Sequence, residues 1–235
     1  MKKLFLCISI CLSFAFSASL DEGLGRYEAQ NYTQAATIFY DLCQQNNNAK
    51  ACFFLGFMYE SAQGVDKDDA RAKSYYEKAC QLKQASACFN LALLLDKYGQ
   101  NKQADLSFYQ ACVLGHKDSC VNLGLRYEAQ EDGSLALDFF QRACKLKDAA
   151  ACFKQGLLYE DGILVRQNIQ LASRAFTSSC ELNYAPACYA LGKIALEKKN
   201  QADAKKYFGK ACDLTHLNSC EEYKKLNAQP NVMMN

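Results

Sequence analysis

Alanine, an aromatic residue and cysteine recur at i, i+4 and i+8 six times along the chain. The sets are Ala35, Phe39, Cys43; Ala72, Tyr76, Cys80; Ala104, Phe108, Cys112; Ala136, Phe140, Cys144; Ala172, Phe176, Cys180; and Ala204, Phe208, Cys212. Spacings of four place each set on one face of an α-helix. A second cysteine follows each set and opens another apolar run: CFFLGFMYE from Cys52, CFNLALLLD from Cys88, CVNLGLRYE from Cys120, CFKQGLLYE from Cys152 and CYALGKIAL from Cys188. Four residues past that cysteine stand Gly56, Ala92, Gly124, Gly156 and Gly192. Glycine within a helix costs about 1 kcal/mol against alanine, so its recurrence predicts close approach of a neighbouring helix. Each repeat therefore reads as two helices, A opening with a cysteine and B closing with one.

The first cysteines of successive couples are 37, 32, 32, 36 and 32 residues apart, the length of one helical hairpin. Two repeats carry about four extra residues between their helices, SAQGVDKDD at 61–69 and DGILVRQN at 161–168. Their glycine and polar content predicts longer turns. The hairpin at about 20–43 has Leu20 where later A helices have cysteine, which suits an N-terminal cap. After Cys220 one more helix is expected, then a frayed tail over 227–235.

The opening MKKLFLCISICLSFAFSASL has two lysines, a short apolar run and then small residues. This predicts a signal peptide over 1–19, cleaved after Ser17 or Ser19, because the apolar run falls short of the roughly 20 residues that span a bilayer. Loss of Lys2 and Lys3 reduces 27 basic residues to 25, equal to the acidic count. A neutral chain without basic clusters argues against nucleic acid as a partner, and nothing predicts membrane insertion after cleavage. Half the residues are apolar, there is no tryptophan, and the only prolines are Pro186 and Pro230, as suits a helical protein with an ample core.

Leu123, Gly124 and Tyr127 in helix A, with alanine and then an aromatic in helix B, are similar to the tetratricopeptide class. The 36-residue version with its glycine-bearing insertion looks like the Sel-like branch. With a cysteine couple in every repeat and a leader, the chain closely resembles the Helicobacter cysteine-rich protein family over about residues 20–226. That resemblance implies an all-α, right-handed α/α solenoid of Sel-like helical hairpins, about six plus a C-terminal helix, exported to the periplasm or secreted. It also implies one disulfide per hairpin, penicillin binding and slow β-lactamase activity, with no cofactor.

Sequential pairing joins helix B to the following helix A: Cys43–Cys52, Cys80–Cys88, Cys112–Cys120, Cys144–Cys152, Cys180–Cys188 and Cys212–Cys220. Alanines beside the cysteines permit the approach of about 5.5 Å between Cα atoms that a disulfide needs. Zinc is the alternative, but structural sites favour cysteines two to four residues apart, and seven intervene here. A redox role favours Cys-x-x-Cys, which is absent. Metal is accordingly not expected.

Chemistry is harder to find. No serine has lysine three residues on, and the only histidines, His116 and His216, occupy the same turn position. They read as exposed turn residues or as a shared zinc site or base. Glu60, Asp96, Glu128 and Glu160 repeat eight positions past the cysteine, as a ladder capping or bridging to adjacent repeats or as ligand contacts. The A-helix face, concave in solenoids, is the default binding surface. On it Asn90, Asn122 and Lys154 share one position, and Arg126 lies one turn past Asn122, placed to take a carboxylate. The candidate ligands are a peptide, a peptidoglycan fragment or a β-lactam, with a protein partner, including a host molecule, as the other possibility. A non-catalytic binding scaffold is thus the alternative to an enzyme.

Overall fold

The computed structural model describes residues 19–228. Apart from Ser19, the expected leader with Cys7 and Cys11 lies outside these residues, as does the tail over 229–235. Within the described residues every element is α-helical, and none is long and apolar enough to cross a membrane. They fall into two compact units, one ending at Leu82 and the other beginning at Lys83.

The first unit holds α1 (Leu20–Glu28), α2 (Tyr32–Asn46), α3 (Ala49–Ser61) and α4 (Asp69–Gln81). Ser19 begins it by accepting a hydrogen bond from the Glu22 backbone N–H, which satisfies one of the unpaired donors of α1. The second unit holds α5 (Ala85–Lys97), α6 (Asn101–Val113), α7 (Lys117–Ala129), α8 (Gly133–Lys145), α9 (Ala149–Asp161), α10 (Ile169–Glu181), α11 (Ala185–Glu197), α12 (Gln201–Asp213) and α13 (Leu217–Ala228). Odd-numbered helices are A and even-numbered ones B. Helix α13 runs two residues past its expected end at 226. The insertions fall between α3 and α4 and between α9 and α10, where the sequence places them.

The recurring residues meet across each hairpin. Ala35, Ala72, Ala104, Ala136, Ala172 and Ala204 are all 0% exposed, and the six aromatics one turn on are at most 1% exposed. Those aromatic rings lie against the small residue of helix A. A Cβ built on Gly124 would stand 2.6 Å from the Phe140 ring, and one on Gly192 would stand 2.5 Å from Phe208. Absence of a side chain is what lets A and B close, and burial of each phenylalanine contributes about 2–3 kcal/mol.

Disulfides then join B to the next A: Cys43–Cys52, Cys112–Cys120, Cys144–Cys152, Cys180–Cys188 and Cys212–Cys220, with Cα atoms 4.6–4.8 Å apart. Cys80 and Cys88 are disulfide-bonded as well. All twelve cysteines of the repeats are therefore oxidised, which fits an extracellular or periplasmic protein.

The turn from B to A is tight because one residue adopts the left-handed conformation. Lys83, Gly115, Lys147, Asn183 and Thr215 hold that equivalent place, three residues past the cysteine, with φ of 67°, 89°, 65°, 64° and 67°.

Candidate functional site

The ladder of carboxylates eight positions past the cysteine joins successive A helices in the second unit. Arg126 on α7 places Nη1 2.8 Å from Asp96 Oδ2 on α5. Lys154 on α9 places Nζ 2.9 Å from Glu128 Oε2 on α7. In the first unit the corresponding Glu60 accepts a 2.7 Å hydrogen bond from the Tyr76 hydroxyl, which the other repeats, with phenylalanine there, lack.

Arg126 takes a carboxylate, as its position predicts, but it takes two and both belong to the chain. Its Nε lies 2.6 Å from Asp105 Oδ1 on α6. That approach lies off the N–H direction, so it is an ion pair without a well-formed hydrogen bond. The guanidinium also sits 5.9 Å from the Phe108 ring centre. Burial pushes the Asp105 carboxyl up, the Arg126 charge pulls it down, and the Asp96 charge pushes it up again. All three side chains are about three-quarters buried.

The reason lies in a column of the repeat. Six positions past the cysteine four other A helices carry Met58, Leu94, Leu158 and Ile194, all at most 6% exposed. Arg126 occupies a core position, and Asp96 and Asp105 neutralise it there. Comparing that column across repeats would reveal the cluster in the sequence, whereas the spacing from Asn122 alone does not.

The other groove candidates are also engaged. The Asn122 side-chain amide donates to the Asp118 backbone carbonyl of its own helix at 2.9 Å, Asn90 has an interaction partner, and Lys154 is held by Glu128. These residues do share the A-helix face, and apolar side chains accompany them. Leu93 on α5 and Leu125 on α7, at one repeat position, are 44% and 42% exposed. Glu160, the next rung of the ladder, is pushed up by burial and by the charges of Asp161 and Glu197, against the pull of Lys193.

The histidines are half-buried, and their repeat position explains both. His116 Nδ1 lies 3.0 Å from Ser119 Oγ, and His216 Nδ1 lies 2.8 Å from Ser219 Oγ. Each ring packs on the aromatic of the preceding A helix, His116 on Phe89 with centres 4.4 Å apart and His216 on Tyr189 at 4.8 Å. Phe153 meets Tyr184 in the same way at 5.3 Å. A hydroxyl beside an imidazole resembles a nucleophile and its base. Ser119 and Ser219 are 0% exposed, however, so no substrate can reach these hydroxyls. The pairs instead close the first turns of α7 and α13. Among the described residues no group of three or more His, Cys, Asp or Glu side chains is placed to hold a metal ion.

Residues 49–83, 117–148 and 149–174 match the Sel1 repeat, and residues 185–215 match the tetratricopeptide repeat. The chain is a cysteine-rich Sel1-like repeat protein. Its fold is similar to that of a Sel1 repeat protein from Oxalobacter formigenes, 22% identical, with 92% of this chain and 94% of that one covered and a TM-score of 0.70. It is also similar to a protective antigen of uropathogenic Escherichia coli displaying an SLR fold, 23% identical, with 91% of this chain and 49% of that one covered and a TM-score of 0.62. A tetratricopeptide-containing protein from Cytophaga hutchinsonii is 16% identical, with 90% of each chain covered and a TM-score of 0.52. At these identities the likeness shows the Sel1-like fold alone. No curated protein matches the chain.

Proposed function

We propose that this Sel1-like protein is a non-catalytic scaffold, exported to the periplasm or beyond, that holds an extended segment of a partner protein along its A-helix face. The observation that carries this reading is the pair Leu93 and Leu125, exposed at one position of successive A helices beside Asn90 and Asn122. Exposed apolar side chains in register on successive helices suit an extended peptide, whose side chains can pack against them, better than a sugar chain. Disulfides and interhelical ion pairs hold the face ready, which lowers the ordering cost of binding.

Peptides selected from a random dodecamer display library on the oxidised protein test the reading. Saturable binding is expected, weakened tenfold or more by Leu93→Ser with Leu125→Ser. Failure to select any saturable binder, or binding indifferent to both substitutions, sinks it.

Penicillin binding and slow β-lactam hydrolysis rest on the family resemblance alone. The serines of the two serine–histidine pairs are buried, and each pair bonds side chain to side chain across the first turn of its own helix. Oxidised, metal-free protein is expected to hydrolyse a chromogenic cephalosporin no faster than buffer. Turnover abolished by Ser119→Ala or Ser219→Ala restores the enzyme reading.

A further inference from the structure

The two insertions lie 100 residues apart in sequence and build the same structure twice. In each, the N–H of the residue before the following B helix donates to a tyrosine carbonyl on helix A, Asp68 to Tyr59 at 3.0 Å and Asn168 to Tyr159 at 2.8 Å. Each loop thereby closes against a tyrosine, with Val65 or Val165 on the loop, and each borders a cavity open to solvent. The cavity beside Tyr59 is about 400 Å³ and the one beside Tyr159 about 750 Å³.

Seven of the nine residues lining the second cavity differ from their counterparts 100 positions earlier, and only the tyrosine and the valine are shared. In the first unit Arg71 lies across the site, 5.5 Å from the centre of the Tyr59 ring, with Nη1 3.3 Å from the Tyr59 hydroxyl and Nε 3.2 Å from Asp68. Arg71 thus partly fills the cleft there, and its charge is paired with Asp68. In the second unit Leu171 replaces Arg71 and Asn168 replaces Asp68, while Arg166 replaces Asp66. The lining is then Leu137, Tyr159, Val165, Ile169 and Leu171 together with Arg166 and three amide side chains, and it holds no carboxylate. Among the described residues Arg166, which is exposed, has no ion-pair partner.

We infer that the cavity beside Tyr159 is a binding site for a small amphipathic anion, a molecule with an apolar, ring-sized body and one negative charge. Its volume is within the range of small-molecule sites, and like them it sets apolar side chains beside a few polar ones. Leu137, Leu171 and the Tyr159 face cover the apolar body, and the Arg166 guanidinium meets the charge, preferably a carboxylate it can grip with two N–H groups. This site is separate from the A-helix face proposed for peptides, and either can fail without the other. The tyrosine, the loop and the cap recur in both units, and the exchanges at the lining, above all Leu171 for Arg71 and Arg166 for Asp66, leave the second site open with a cation beside it, whereas Arg71 lies across the first.

Titration of the full oxidised chain with 8-anilinonaphthalene-1-sulfonate tests this, because the dye is an apolar ring system with one negative charge. One saturable site is expected. Leu171→Arg, which installs the residue of the first unit, and Arg166→Glu should each weaken it tenfold or more, with far-UV melts confirming that the variants fold. Arg71→Leu with Asp66→Arg, Asp68→Asn and Asp69→Ile, which together carry the lining of the second insertion into the first, should create a second site in the first unit. The anion 4-phenylbutyrate should displace the dye at least tenfold better than 4-phenyl-1-butanol. A loss variant that binds as tightly as the unaltered chain, a fourfold variant with one site only, or equal displacement by the alcohol overturns the assignment.

Discussion

Arg126 reaches from α7 to α5, its Nη1 2.8 Å from Oδ2 of Asp96, at a repeat position where four other A helices carry buried Met58, Leu94, Leu158 and Ile194. A mostly buried charge of this kind is tolerated because two carboxylates surround it, and removing one partner leaves the others uncompensated.

Arg126→Leu alone is therefore expected to destabilise the protein by about 2–4 kcal/mol despite restoring the apolar column. Combining it with Asp96→Leu and Asp105→Ala, the residues that other repeats carry at those places (Leu196 and Ala36), should recover most of the loss. Urea denaturation of the single and triple variants measures this. A triple variant less stable than the single one refutes the cluster's account.

Gly124 and Phe140 make a second test. The Cβ of Gly124→Ala would meet the Phe140 ring at 2.6 Å, and overpacking of this kind costs about 1–3 kcal/mol. A thermal scan should show a lower midpoint for Gly124→Ala. Gly25→Ala, where a Cβ meets nothing within 4 Å, should do no harm. Equal effects at the two sites would contradict the packing argument.

Stability should depend on pH through His116. Burial lowers its pKa from the ordinary 6.5, against a smaller raising effect of Asp118. Folding thus favours the neutral ring, so this contribution is complete above pH 6.5 and is lost as pH falls through the depressed value. His116→Asn keeps a polar side chain at the N-cap and removes the titration. Its unfolding free energy should vary less between pH 7 and pH 5 than that of the unaltered chain, and identical pH profiles would count against the assignment.

Thr215 is β-branched and holds φ of 67°, where Gly115 stands in an earlier repeat with φ of 89°. Thr215→Gly relieves the clash of a Cβ with the backbone in that region and should stabilise by about 0.5–1 kcal/mol, after the greater freedom glycine gives the unfolded chain. A lower denaturation midpoint for Thr215→Gly would show that the turn is not strained.

The sequence by itself determined the helices, their pairing and the staples. Local periodicity carries that information: Ala, aromatic and Cys at intervals of four fix one buried face, and glycine opposite each aromatic fixes how closely the partner helix lies. The carboxylate ladder was legible as a ladder because it repeats. Only the tertiary structure decided what single, non-repeating residues do. Arg126 looked like a ligand residue because it follows Asn122 by one turn, yet its role is set by Asp96 and Asp105, 30 and 21 positions away in the sequence. His116 and His216 looked like exposed turn residues, yet they pack on the aromatics of the preceding A helix and bond a buried serine of their own. The enlarged cavity beside Tyr159 depends on Leu171 standing where Arg71 stands in the other insertion. Repetition registers what every hairpin must bury, but a charge or a gap acquires its meaning from neighbours on other helices, whose distances no spacing along one helix supplies.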